Sequence, residues 1–542
     1  MDAGKFQVLV ACVATFSVVA IGEETYRFEV VVREGDLLDG ARLVDLDTDD
    51  GAPVINNYGE TAFYAVTDVG EAIHFRSSEG DVRRIVGYGD RLPREPPDGL
   101  GMLIRDFSEE GSYLQIGDDG TVYHSDFDDL DYVGVDDIML YSFPEESLPG
   151  FVTAAAPLTT AFFDRLGNSY LHGFMRESGV VTMLKNGEVF RESGMVDGVE
   201  IIDFVANASP MGRVGMTAAR AENRGDNGNF NDVFFEKQQI YAAGDEIDGK
   251  ASETFWLVDV NDSGQLMYLV AYPGRDPGTE YRIDGRRLLQ HRQMIGDFEV
   301  GVPNSGSITA DGNGVFQIGL CENSCQVKPV ASYPSVVFND QIIFKPGDVI
   351  ADEAELIGFQ RWSANDRGDV VFLGRFDDGI DRIVIAERMI EPFAGDVNND
   401  NALDLSDIYL LSESIRKNEF APEFDLVTDG VLDDADLQHW VREIKGTYFG
   451  DADLNGEFNS SDLVRLFETG EYEDGVPMNS IWLDGDFNGD GEFGTTDLVL
   501  AFQDGGYEKG PRQAIATVPE PNSLSLIAMM LLGAISKIHF RR

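Results

Sequence analysis

Four short acidic stretches near the C-terminus constrain the fold more than any other part of this 542-residue chain. They read DVNNDNALDLSD (Asp396–Asp407), DLVTDGVLDDAD (Asp425–Asp436), DADLNGEFNSSD (Asp451–Asp462) and DFNGDGEFGTTD (Asp486–Asp497). Each sets Asp at position 1, Asp or Asn at 5, an apolar residue at 8 (Leu403, Leu432, Phe458, Phe493) and Asp at 12. A short helix-like segment follows each, such as LVRLF (Leu463–Phe467) or LVLAF (Leu498–Phe502). A hard cation such as calcium takes six to eight oxygens, which a twelve-residue loop supplies from positions 1, 3, 5, 7 and 12, with 9 adding another. Position 7 ligates through its backbone carbonyl, so its residue type is free, as Ala402, Val431, Glu457 and Glu492 illustrate.

The candidate ligands are Asp396, Asn398, Asp400, Asp404 and Asp407 in the first loop, and Asp425, Asp429, Asp433 and Asp436 in the second. In the third they are Asp451, Asp453, Asn455, Asn459 and Asp462, and in the fourth Asp486, Asn488, Asp490 and Asp497. The competing reading is that Asp, Asn and Gly simply mark turns. The third and fourth loops are complete. The first has Asn401 where Gly usually makes the sharp turn, a conformation Asn tolerates. The second has Val427 at position 3, which cannot ligate.

With Asp at position 12 and no clear helix before each loop, residues 395–510 resemble dockerin type I modules, which are EF-hand-like. In that family two calcium loops, each followed by a helix, pair into one small domain. The resemblance implies calcium-dependent folding and docking to a cohesin-like or other surface protein through positions 10 and 11. Those are Leu405-Ser406, Asp434-Ala435, Ser460-Ser461 and Thr495-Thr496; the second pair of loops carries the Ser or Thr the family uses. Residues 393–446 are thus expected to form a degenerate module and 447–512 a well-formed one.

The 97 acidic against 41 basic residues leave a formal net charge of −56. Nucleic acid is excluded as a partner, because phosphate binding needs a basic face. At 43% apolar and 11% aromatic the chain is too rich in core formers to be a disordered acidic one. Of three cysteines, Cys321 and Cys325 lie four apart in CENSC, which reads as a local disulfide, with metal binding by the two thiols as the weaker alternative.

Both ends read as addresses. Residues 1–22 carry Lys5, an apolar run from Phe6 to Ile21 and a small-x-small end at Ala20-Ile21-Gly22, the pattern of a secretory signal peptide. A lipobox reading of Leu9–Cys12 is the alternative. Residues 513–542 contain Pro519-Glu520-Pro521, an apolar tail at 523–538 and a basic end at Arg541 and Arg542. The tail is shorter than the roughly 20 residues a spanning helix prefers. A plain C-terminal membrane anchor is one reading. The whole arrangement resembles a PEP-CTERM sorting signal. That resemblance implies membrane retention, processing by an exosortase-type enzyme, and delivery to the cell envelope, surface or extracellular matrix of a bacterium.

Residues 23–392 alternate short β-branched or aromatic runs with Gly, Asn and Asp turns, which predicts an all-β region. Asn-x-x-Gly precedes an alternating strand in INNYGETAFYA (Ile55–Ala65), VNDSGQLMYLV (Val260–Val270) and ANDRGDVVFLG (Ala364–Gly374). The landmark glycines are Gly59, Gly120, Gly167, Gly212, Gly264, Gly312 and Gly368, recurring every 45 to 61 residues. A second landmark, Gly-Asp before an aliphatic, recurs at Gly35-Asp36, Gly89-Asp90, Gly244-Asp245 and Gly347-Asp348. Seven blade-sized units predict a mainly β fold: a seven-bladed β-propeller-like head, followed by the small α-helical modules. Tyr26–Val32 is expected to complete the last blade beside Arg382–Ala386. A β-sandwich pair or an irregular solenoid is the alternative. The units also loosely resemble divergent β repeats of other PEP-CTERM proteins.

The chain has no GxSxG, no HExxH and no P-loop, and its six histidines lack ligand spacing. The Asn-x-x-Gly turns resemble sialidase Asp-boxes without the Thr-Trp ending. Trp256, Trp362, Trp440 and Trp482 suit sugar stacking or, more simply, core packing. The expected function is a non-catalytic exported envelope or matrix protein, its modules docking a partner and its head binding a protein or glycan. The alternative is a polysaccharide-degrading enzyme of the glycoside hydrolase type.

Overall fold

A computed structural model describes residues 17–21, 24–46, 52–87, 238–273, 278–322, 332–350, 354–390, 392–418 and 420–512, with further strand segments between 91 and 235. The chain divides into two compact units, Met1–Leu411 and Ser412–Arg542. The first is mainly β. The second holds short helices. The expected sorting residues Pro519, Glu520 and Pro521, the tail 523–538, Cys325 and residues 1–16 lie outside the described residues. The last residues of the expected leader, Ser17–Ile21, form a strand against Glu24–Arg33. Among the described residues no helix is long and apolar enough to cross a membrane.

Short strands separated by tight turns pair with their sequence neighbours, so the sheets of the first unit are local and almost wholly antiparallel; one parallel pair, Val122–Ser125 with Ile138–Tyr141, interrupts the rule. Seven sheets of four or more strands are present among the described residues. Val370–Phe376 and Thr61–Thr67 are buried at nearly every position, whereas the edge strand Gln238–Tyr241 alternates. A strand is apolar on both faces only where its sheet is covered on both sides.

Among the described residues, six apolar clusters show what covers such strands. Each draws side chains from two consecutive sheets, as Met267, Leu289, Phe316 and Val337 do. One cluster joins the last sheet to the first, packing Val371 and Ile385 on Phe63 and Leu43. Glu24–Arg33 completes the last sheet by pairing with Asp381–Arg388, Tyr26 opposite Arg388 and Phe28 opposite Ala386, with a bulge between Val30 and Val32. The expected pairing of Tyr26–Val32 with Arg382–Ala386 is therefore present.

The two sequence landmarks are two distinct turns. In Asn-x-x-Gly the glycine sits in the left-handed region (φ 76° at Gly59, 76° at Gly264, 88° at Gly368) and its N–H returns to the Asn carbonyl. The Asn amide then reaches the same turn of the next sheet. Asn261 Nδ2 donates to Thr309 O at 3.0 Å and Asn365 Nδ2 to Asn56 O at 2.8 Å, while Ala310 N donates to Asp366 O at 2.8 Å. The repeat is thus a chain of staples between neighbouring sheets.

In Gly-Asp the Asp carboxylate accepts from a backbone N–H three residues earlier, at 2.9 Å from Arg33, 2.8 Å from Ala242 and 2.9 Å from Lys345. A further copy lacks the motif. At Arg292-Gln293, Arg292 N donates to Val300 O and Gln293 Oε1 accepts from Gln290 N at 3.2 Å.

Candidate metal centre

All four acidic loops share one framework. The position-1 carboxylate accepts the N–H groups of positions 5 and 6, at 3.0 and 3.0 Å on Asp396, 3.1 and 2.9 Å on Asp425, 3.0 and 2.8 Å on Asp451, and 3.0 and 2.8 Å on Asp486. Position 5 accepts the N–H of position 7 in each, on Asp400, Asp429, Asn455 and Asp490. Positions 4 and 6 are left-handed throughout: Asn399 and Asn401, Thr428 and Gly430, Leu454 and Gly456, Gly489 and Gly491. Asn401 therefore does stand in for Gly, with φ 68°.

Position 12 lies in the first turn of the helix that follows. Asp407, Asp436, Asp462 and Asp497 each accept the position-9 N–H, at 2.9 to 3.0 Å. The position-9 side chains of Asp404, Asp433 and Asn459 accept in return from Ser406, Ala435 and Ser461. These capping bonds open α1 (Leu405–Lys417), α2 (Asp434–His439), α3 (Ser460–Thr469) and α4 (Thr495–Asp504). The carboxylate at position 12 thus has a helix-capping role with or without a cation. α2 continues into a π-helical turn, Trp440–Ile444, that buries Trp440.

The loops differ in surroundings. Asp451, Asp453 and Asp462 bring three carboxylate oxygens within 4.8 Å of one another. Burial first, and neighbouring aspartates after it, raise Asp451 to about 7 and Asp462 to about 6, from an ordinary value near 4. Asp486 is likewise pushed to about 7 by burial and by Asp497 and Asp490, although Arg416 Nη1 lies 3.8 Å from it. Asp497 is raised too, by burial. A cluster of desolvated carboxylates is held charged by a cation or neutral by protons. Carboxylate, amide and carbonyl oxygens form a donor set that fits a hard cation. Asn488 in the fourth loop is half-buried beside Asp490, whose N–H it accepts at 2.9 Å.

The second loop is the most open: Asp429 and Asp433 are exposed, and Val427 spends its N–H on Asp436 at 3.1 Å. The first loop is the most enclosed, with Asn398, Asp400, Asp404 and Asp407 all buried. It belongs to the β unit. Asn401 Nδ2 donates to Asp311 at 2.9 Å and Ser406 Oγ to Asp262 at 2.5 Å, both acceptors lying in the stapling turns. Asp400 and Asp407 are raised by this burial and by Asp404 beside them; Asp366 adds to the effect at Asp400.

The third and fourth loops pack reciprocally. Phe458 meets Phe502 of α4, and Phe493 meets Phe467 of α3. Glu508 N donates to Phe458 O at 2.8 Å and Glu473 N to Phe493 O at 2.9 Å. Trp482 adds a bond from Nε1 to Asp451 O at 2.9 Å. Trp440 and Trp482 are buried, and Trp362 donates to Gln317, which assigns these three indoles to packing. Cys321 is buried and disulfide-bonded.

The fold defines a mainly β chain with acidic-loop helices at its C-terminal end. Comparison with protein families and with curated proteins found no match. Among solved structures the chain is similar to an oligogalacturonate lyase from Vibrio parahaemolyticus at 11% identity and TM-score 0.38, over 69% of this chain and 97% of that one. It is also similar to the Dos1 propeller at 8% identity and TM-score 0.31, over 63% and 95%.

Proposed function

We propose that this chain is a non-catalytic exported protein of a bacterial envelope or extracellular matrix, with calcium held in its acidic loops. In this reading residues 395–510 are dockerin-like and dock a surface protein. The β region is a head of seven propeller blades that binds a protein or glycan. The C-terminal segment directs processing by an exosortase-type enzyme. The observation that carries the calcium part is the convergence of Asp451, Asp453 and Asp462 inside a hydrogen-bond framework repeated in all four loops. The head reading is supported by seven local sheets and by apolar clusters shared between consecutive sheets, including last with first.

The test is calcium titration of the full chain, followed by far-UV circular dichroism and Tm. A site stabilises by about 2.7 kcal/mol at a hundredfold excess over Kd. Tm is expected to rise with calcium, and the double variant Asp451→Ala/Asp486→Ala to lose most of that rise. An unchanged Tm and helicity would sink the calcium reading.

A further inference from the structure

Turns of the Gly-Asp type recur in the β unit, and among the described residues two copies depart from the pattern: Ser193-Gly194 before Met195–Val196, and Arg292-Gln293 before Met294–Ile295. Gly35, Gly244 and Gly347 hold the left-handed position with φ 96°, 96° and 94°, each followed by a capping Asp. In the copy at 291–295 that position is Arg292, with φ 68°, and the cap is Gln293. An L side chain rarely adopts this conformation, and departures from a local rule concentrate at functional positions. Replacing Gly by Arg and Asp by Gln moves the local charge by +1 twice, two units in all, in a chain whose net charge is −56.

The altered turn borders an open groove of about 610 Å³, lined by Arg287, Gln290, His291, Arg292, Gln293 and Asp340. That volume lies within the range of small-ligand sites. Residues 286–293, RRLLQHRQ, contain three arginines and a histidine without one acid; Arg286 donates to Gly312 O, and Arg292 Nε lies 4.0 Å from Glu299. Arg287 stays half exposed and meets Glu280 at 3.7 Å, while Glu280 is held more closely by Arg282 at 2.8 Å. Guanidiniums recognise carboxylates and sulfates through paired N–H groups. The Gln amides and Asp340 offer donors and acceptors suited to hydroxyls. A phosphodiester polymer needs a far wider basic face.

We infer that this groove binds an acidic carbohydrate, through Arg287 and Arg292 on the carboxylate or sulfate and through Gln290, Gln293 and Asp340 on the hydroxyls. The assignment rests on the head-binding part of the proposed function, names its ligand class, and is independent of the calcium part.

Binding of the full chain to alginate (a polyuronate), to carrageenan (a sulfated galactan) and to neutral dextran is measured by affinity electrophoresis in excess chelator. One or both acidic polymers should bind and dextran should not, and the polymer that binds distinguishes carboxylate from sulfate. Arg287→Gln and Arg292→Gly should each weaken binding about tenfold, the loss of one charge-assisted contact. Arg292→Gly also restores the residue of the Gly-Asp copies, so its Tm should equal or exceed that of the native chain; the loss then cannot come from unfolding. Equal binding of dextran overturns the ligand class and leaves a glycan-binding head standing. Binding present in a parallel run with calcium but absent in chelator places the glycan on the acidic loops and overturns the groove. Wild-type affinity in both variants, or no binding of any polymer, overturns the groove without touching the calcium titration.

Discussion

At the scale of single residues, the aspartates that open the third and fourth loops set a pH dependence with a definite sign. Asp451 and Asp486 are pushed up to about 7 and Asp462 to about 6 by burial. In the unfolded chain all three return to about 4. Between about pH 4 and pH 7 the folded chain therefore binds more protons than the unfolded one, and its stability falls as pH rises. In chelator Tm should be several degrees lower at pH 7.5 than at pH 5. With calcium the trend should reverse, because ligating carboxylates must be charged and binding releases their protons. A parallel rise in both conditions would contradict this. The left-handed positions show what was readable at this scale. Asn401 announced its conformation by its type, and Arg292 did not, since nothing in its own identity asks for φ 68°. The signal that finds it is the aliphatic that follows, Ile295, in register with Leu38, Ile247 and Ile350 of the Gly-Asp copies.

At the scale of elements, the third and fourth loops pack reciprocally into one module. Position 8 is apolar because its side chain crosses to the helix of the other loop, Phe458 to Phe502 and Phe493 to Phe467. Truncating either ring opens a cavity that the partner loop feels. Phe458→Ala should cost about 3–5 kcal/mol and should weaken calcium binding at both loops together, read by calorimetric titration. Weakening confined to the third loop would show the halves to be independent. The apolar position 8 was visible in the sequence; the crossing was not, because spacing within one loop carries no information about which neighbour it meets. The stapling turns follow the same logic. Asn-x-x-Gly was legible as a turn. That its amide reaches the next sheet, as Asn365 does to Asn56, is a contact between residues more than 300 positions apart in sequence (|i−j| of 309).

At the scale of the molecule, the first acidic loop changes allegiance. Sequence spacing groups it with the second loop, yet it lies in the unit Met1–Leu411, tied to Asp311 and Asp262 of the stapling turns. Calcium taken up there should therefore stabilise the β unit. Hydrogen exchange of residues 261–264 and 309–312 should slow by about tenfold or more on calcium addition, since binding suppresses local opening. Asn401→Gly/Ser406→Ala keeps the loop's ligands and its left-handed turn, and should remove that slowing. Exchange of these turns indifferent to calcium would rule the coupling out.

Features that depend only on neighbours along the chain are legible in the order of its residues. Alternating strands, turn residues at fixed offsets and the oxygen-bearing periodicity of the loops are local, and each is specified by the chemistry of a dozen residues. Tertiary structure decided which loop packs with which unit, which turn is stapled to which, and that RRLLQHRQ borders a groove rather than lying on an open surface. Those outcomes depend on burial and on contacts across hundreds of residues, where a one-dimensional pattern has no distance to offer.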